Sequence, residues 1–199
     1  MNQMKKPKNR MYKNPIMEIL SMSGPIMMSI YHLLLISITF TYGYSLNHDV
    51  HSNQFILLFF AAGFFSWSFG EYMLHRFLFH INGKSRFVKA FHYAMHGYHH
   101  KFPNDVNRLF MPPVPATLFL MAFFGIFYLI MGDYAFYFLP GFELGYWIYS
   151  LVHYAIHHKD LSKYFKNLRK HHILHHYKSP EKAYGVSTKA WDRIFKSMP

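Results

Sequence analysis

The chain has 199 residues, enough for one domain, and 52% of them are hydrophobic against 15% charged, a greasier balance than soluble domains carry. It holds no cysteine, which excludes disulfides, cysteine-held iron–sulfur clusters and thiolate catalysis. Lys and Arg outnumber Asp and Glu by 21 to 9, so the placement of charge has to decide between nucleic acid and a membrane surface.

A basic arm, residues 1–23, comes first. It has no short apolar core with a small-residue cleavage site, so no signal peptide is expected. Crossing a bilayer takes about 20 apolar residues in a helix. Four stretches meet that, at about 24–46, 54–74, 114–132 and 134–157. The fourth is expected to be interrupted near Pro140-Gly141, because proline removes a donor and crowds the preceding turn. Between the second and third lies a connector, helical from Lys84 to Lys101, and then a Pro-rich loop over 102–115. After the fourth comes a tail with a helix around 160–177. Beyond it Tyr184, Val186, Trp191, Ile194 and Phe195 are expected to pack beneath a cap.

The expected fold is therefore an all-α integral membrane protein, a single domain over 1–199. About four transmembrane helices carry a helical cap built from 75–113 and 159–199. The outer loops, 47–53 and the turn at Gly132-Asp133, hold neither Lys nor Arg. The positive-inside rule then places both termini and the cap in the cytoplasm. The basic excess falls beside lipid headgroups, and no nucleic-acid partner is expected.

Histidine is the informative residue. There are 16, and most gather in "HRFLFH" (75–80), "HYAMHGYHH" (92–100), "HYAIHH" (153–158) and "KHHILHH" (170–176), all on the side of the cap. In a helix, positions i, i+3 and i+4 share a face. His96/His99/His100 and His172/His175/His176 fit that spacing, and His153/His157 are i, i+4. His75 and His80 are i, i+5, about 140° apart at 100° per residue. Either the helix ends between them or they serve different metals. Neutral imidazole is a common metal ligand. Ten of them exceed one coordination sphere, and the lack of Cys argues against a structural zinc site. Two metals with about five imidazoles each fit best. His32, His48 and His51 read as structural residues, while His92, His158 and His171 merely adjoin the ligand motifs. Glu71, Asp105, Asp160 and Asp192 are candidate partners for imidazole N–H groups. Tyr98, Arg108, Trp147 and Tyr149 are candidates to line a substrate path.

The four His motifs resemble the His boxes of the fatty acid hydroxylase superfamily of membrane di-metal oxygenases. Within it the chain is most similar to the fatty acid 2-hydroxylases. "HHKFPNDVNRLFMPPVPA" (99–116) and "YGVSTKAWDRIF" (184–195) support the narrower likeness, which covers roughly 60–199. The sterol oxidase branch usually has three residues where four separate His75 from His80. The resemblance implies metal ligation by His75, His80, His96, His99, His100, His153, His157, His172, His175 and His176, with no catalytic side chain beyond the ligands. It implies two iron ions, whose sites zinc can occupy in preparations, and O2 as co-substrate. The implied reaction is hydroxylation at C2 of a long-chain fatty acyl group, free or in a ceramide or other sphingolipid. Many eukaryotic members carry a cytochrome b5 domain. This sequence has no His-Pro-Gly-Gly haem motif and no Gly-x-Gly-x-x-Gly, so a separate donor, b5-like or a ferredoxin, is expected. The expected location is a bacterial inner membrane, or the endoplasmic reticulum membrane in a eukaryote. Three rivals stand beside this reading: carotenoid or sterol hydroxylation on the same scaffold, a membrane bis-His haem electron carrier, and a metal transporter.

Overall fold

The computed structural model describes residues 10–158 and 162–199, and among these every regular element is helical. Residues 1–9 of the basic arm, Asp160 and the expected start of the tail helix lie outside the described residues.

A short helix α1 (Pro15–Leu20) is capped by the Asn14 side chain, which accepts from the N–H of Ile16 at 2.9 Å. Helix α2 (Pro25–Asn47) and, later, α6 (Pro113–Met131) both begin on proline, whose fixed φ suits a first helical position. Helix α3 (Asn53–Met73) runs without a break into a π-helical stretch, Leu74–Phe79. The connector forms α4 (Arg86–His92), a π-helical turn (Tyr93–Gly97) and α5 (Tyr98–Lys101), close to the expected helical range. Helix α7 (Ala135–His157) follows α6, then α8 (Lys166–Tyr177) and α9 (Ala190–Ile194).

Three segments are long and apolar enough to cross a membrane: 25–47, 53–79 and 106–157. The last has 52 residues, far beyond the roughly 30 Å of hydrocarbon at 1.5 Å per residue. It folds back on itself at Gly132, whose φ of 58° ends α6. The two arms then pack ring on ring, Phe127 on Phe138 at 4.7 Å and Phe124 on Phe136 at 5.0 Å.

The expected interruption at Pro140-Gly141 does not occur, since α7 continues through both residues. Proline there sits early in the helix and deprives only the Phe136 carbonyl of its donor. Its neighbour serves a different purpose. A Cβ on Gly141 would lie 2.0 Å from the Phe60 carbonyl oxygen, and one on Gly63 would lie 2.0 Å from that of Phe138. Here α3 and α7 touch backbone to backbone, as small residues allow between helices in lipid. Trp67, Phe142, Tyr149 and Ile156 fill the seam toward the His-bearing end, where Val186 of the tail joins them.

Helix α2 is tied to α7 in the interior by His32, whose Nδ1 donates to Glu143 Oε1 at 3.1 Å, both residues being essentially inaccessible. The described part of the arm before α2 packs against the Pro-rich loop. Glu18 is buried and accepts from Arg108 at 2.5 Å, and the Ser23 hydroxyl donates to the Phe110 carbonyl at 2.6 Å. In the tail, Tyr184 and Val186 are buried and Trp191 packs on Phe69 at 4.8 Å. Ile194 departs from expectation and points outward, 62% exposed, because α9 turns its Asp192 side inward to meet His171 and the tail N–H groups.

Candidate metal centre

The ten candidate histidines meet at the joint ends of α3 and α7, beneath α5 and α8. They form two groups of five, His75, His80, His96, His100 and His175 in one and His99, His153, His157, His172 and His176 in the other. Within each group the nitrogens all lie within 4.8 Å of one another. The two HxxHH triads are split the same way. In each, the i and i+4 histidines enter one group and the i+3 histidine enters the other, because the triad face straddles the line between the groups.

His75 and His80 fall in the same group, and the helical stretch that carries His75 ends at Phe79, with His80 as its C-cap. The first alternative set out from the sequence therefore holds, and the widened end of the helix adds to it. The chain widens to a π-helix at Leu74, in which hydrogen bonds run from i+5 to i, and the His80 N–H donates to the His75 carbonyl at 3.2 Å. Residues five apart then come onto one side, with ring centroids 5.0 Å apart.

The contacts are Nε2 to Nε2. In the first group they are 2.9 Å for His75–His96, 3.0 Å for His96–His100, 3.0 Å for His80–His175 and 3.1 Å for His100–His175. In the second, His172 lies 2.9 Å from His157, 2.9 Å from His176 and 3.0 Å from His153, and His153 lies 3.1 Å from His99. Hydrogen bonds alone cannot satisfy these contacts. A neutral imidazole nitrogen carries one proton or one lone pair, yet His172 Nε2 has three nitrogen neighbours. The proton on two of the rings is committed elsewhere. His75 Nδ1 donates to the Tyr184 carbonyl at 2.5 Å and His175 Nδ1 to the Lys182 carbonyl at 2.7 Å, which leaves both Nε2 lone pairs turned inward. A separation near 3 Å suits neighbouring ligand atoms around a centre about 2.1 Å from each, the ordinary metal–imidazole distance. The donor set therefore fits two cations. It leaves no room for a porphyrin between facing imidazoles, which disfavours the haem carrier. The His32–Glu143 pair inside the apolar region is closed on itself rather than strung along a path, which disfavours the transporter.

Burial, and after it the neighbouring imidazoles, pull His80 and His100 down to about 3. Burial likewise pulls His175 down to about 4, against the lift from its bond to the Lys182 carbonyl. His96, His99, His172 and His176 are also lowered, first by burial and then by neighbouring imidazoles. At neutral pH these rings are uncharged, the form that binds metal.

The acidic candidates do other work. Glu71 touches no imidazole and accepts instead from the N–H groups of Val186 at 2.5 Å and Ser187 at 3.0 Å, and from the Ser187 hydroxyl. Asp105 accepts from Tyr98 and Arg108, each at 2.8 Å. Asp192 does take an imidazole proton, from Nε2 of His171 at 2.8 Å, a ring outside both groups. His92 and His158 also stand outside them. The partners that orient His75 and His175 are main-chain carbonyls. These carry no mark in a sequence, and the tail loop that presents them is pinned by Glu71 and Asp192.

A cavity of about 340 Å³ opens beside the centre. It reaches His96 of the first group and His99 and His153 of the second, and Phe79, Phe110, Met111 and Leu20 line it. Tyr98, Arg108 and Tyr149 line it as expected. Arg108 is held between Glu18 and Asp105, so its charge is already balanced. Trp147 does not line it, and its Nε1 donates to the Ser29 hydroxyl at 3.0 Å.

The fatty acid hydroxylase family model matches residues 60–197. A dihydroceramide fatty acyl 2-hydroxylase of Arabidopsis thaliana is 38% identical over 141 residues, 70% of this chain and 60% of that protein. The fatty acid 2-hydroxylase of Mus musculus is 36% identical over 173 residues, 83% of this chain and 44% of that protein. This chain thus spans 60% or less of the length of these two relatives. The solved structure of full-length scs7p, in which only the hydroxylase domain is visible, superposes with a TM-score of 0.85 at 28% identity, over 94% of this chain and 71% of that one. With more than half its length matched by the family model and the His motifs inside the matched region, the chain belongs to the fatty acid hydroxylase family.

Proposed function

We propose that this chain is a membrane oxidoreductase that hydroxylates C2 of a long-chain fatty acyl group, free or within a ceramide, with O2 as co-substrate. The observation that carries this reading is the pair of five-imidazole groups opening together on one apolar cavity. The names of the relatives, 2-hydroxylases of fatty acids and of dihydroceramide, support the substrate class and the position. They also weigh against carotenoid or sterol hydroxylation.

In this reading His75, His80, His96, His100 and His175 hold one iron ion, and His99, His153, His157, His172 and His176 hold the other. The bound metals supply the redox chemistry that activates O2. The protein's own part is positioning and exclusion of water. Phe79, Phe110 and Met111 give the acyl chain a dry wall, and Tyr149, stacked on His153 at 5.8 Å, lines the part of the cavity beside the imidazoles. The Tyr184 and Lys182 carbonyls hold His75 and His175 in one tautomer and one orientation.

The membrane arrangement belongs to the same proposal. Helices α2, α3, α6 and α7 cross as four spans, with α6 and α7 as a hairpin and both termini cytoplasmic. The absence of Lys and Arg from 47–53 and from the Gly132-Asp133 turn supports that side. It suits a lipid substrate whose polar end stays at the surface while its chain remains in the bilayer. Hydroxylation also consumes two electrons per turnover, which a b5-like carrier or a ferredoxin supplies in this reading.

The test is mass spectrometry of hydrolysed lipids from a host lacking 2-hydroxy fatty acids but supplied with long-chain acids, a ceramide source and an electron donor. Accumulation of 2-hydroxy acyl chains with the unmodified chain, absent with His99→Ala, is expected. A well-expressed protein with two metals that yields hydroxylation elsewhere, or none, would overturn the reading.

A further inference from the structure

Helix α8 has two faces of opposite character. His171, His172, His175 and His176 lie on one side. Lys166, Arg169, Lys170, Ile173 and Leu174 centre about 160° away at 100° per residue. The histidine side is turned to the end of α7, where His172 meets His153 at 3.0 Å. The other side is therefore turned away from the apolar helices. It forms a groove of about 390 Å³, lined by Lys163, Lys166, Arg169, Lys170, Ile173 and Leu174. Among the described residues that line it, Lys166, Arg169 and Lys170 supply the exposed positive charge, while Ile173 and Leu174 are half-buried between them. An apolar centre inside a charged rim is the make-up of a protein-binding patch. The groove also borders the second imidazole group, because Arg169 lies one turn before His172 on the same helix.

The chemistry supplies a reason for such a patch, and this part rests on the proposed function. Inserting oxygen breaks one C–H bond and forms one C–O bond. The second oxygen atom leaves as water, which takes two electrons and two protons from outside the lipid. We propose that this face of α8 is the docking surface for an acidic one-electron carrier protein, which delivers both electrons in successive encounters. The carrier then stands one helix thickness, about 10–12 Å, from the group made by His99, His153, His157, His172 and His176. Opposite charge steers the encounter and sets its rate, so the association weakens steeply with salt.

The experiment uses the whole chain in neutral phosphatidylcholine nanodiscs, with the soluble haem domain of a cytochrome b5 as the acidic probe. Lys166→Glu/Lys170→Glu is compared with Lys84→Glu/Lys89→Glu, an equal charge change on the connector outside the groove. Direct titration of the carrier is expected to show about a tenfold or larger rise in Kd, and a flatter salt dependence, only for the α8 pair. The KM for the carrier should rise with it, while single-turnover hydroxylation driven by dithionite stays unchanged. Equal effects from both pairs, or none, would overturn the docking site. So would a loss of binding to anionic vesicles with carrier binding intact, which would make the face a lipid contact. If dithionite yields no 2-hydroxy product with the unmodified chain, the proposed function fails, and the carrier titration still decides the surface.

Discussion

Asp192 is fully buried and has four partners: His171 Nε2 at 2.8 Å, the N–H groups of Tyr184 at 3.0 Å and Gly185 at 2.8 Å, and the Ser197 hydroxyl at 2.7 Å. Burial alone would push its carboxyl up, but the bonds from His171, Ser197, Gly185 and Tyr184 outweigh it and hold it below the usual range. Through Tyr184 it fixes the carbonyl that orients His75. Asp192→Ala strands several buried donors and should cost about 3–5 kcal/mol. It should also weaken metal binding at the first group by about 10- to 100-fold, as expected when a partner of a ligand is lost. Thermal melts with and without metal, and a competitive metal titration, would show both effects. A stability loss with unchanged affinity would make Asp192 purely structural. The histidines themselves give a second check. His80→Ala and His157→Ala belong to different groups, so each should lower the metal content from two toward one per chain, and the double variant should approach none. Elemental analysis reads this directly, and loss of both metals from either single change would deny two separable sites.

Among the elements, α3 and α7 determine where the centre forms, because their joint ends carry His75, His153 and His157. Their closeness depends on Gly63 and Gly141, where an added Cβ meets backbone oxygen rather than a movable side chain. Gly63→Ala is therefore expected to destabilise by about 1–3 kcal/mol or more and to loosen both imidazole groups. Gly125→Ala on α6, with nothing within 4 Å of the new Cβ, should be neutral or slightly stabilising. Denaturation of both variants in the same detergent would make the comparison, and equal stabilities would sink the close-contact account. The Pro140-Gly141 pair reads as a helix breaker in isolation, and here it is a contact point, since packing against α3 overrides a local preference. The π-helix at Leu74–Phe79 was equally hidden. Its sequence is an ordinary apolar run, and only the need for His75 and His80 to face one group gives the extra residue a purpose.

For the whole molecule, gathering ten imidazoles without charge has a pH consequence. His80 and His100 are lowered to about 3 and His175 to about 4 in the folded state, against 6.5 when exposed. Below 6.5 the unfolded chain binds more protons than the folded one, so stability is full above that pH and is lost as pH falls toward 3–4. The metal-free protein should accordingly show a melting temperature that is flat above pH 7 and drops steadily below 6.5. Bound metal at neutral pH should raise the melting temperature, and a chelator should reverse the rise. A metal-free protein as stable at pH 5 as at pH 8 would contradict the buried, neutral cluster. The sequence by itself determined the apolar helices and singled out the ten histidines that the fold gathers into two groups, because span length and i, i+3, i+4 spacing are local properties written in residue order. Only the tertiary structure decided how the ten divide into two fives, which carbonyls hold the rings, and that Arg108 is already matched by Glu18 and Asp105. Those depend on the approach of segments far apart in the chain, as Glu71 and Ser187 are at 116 positions, and distance through space leaves no trace in a single sequence.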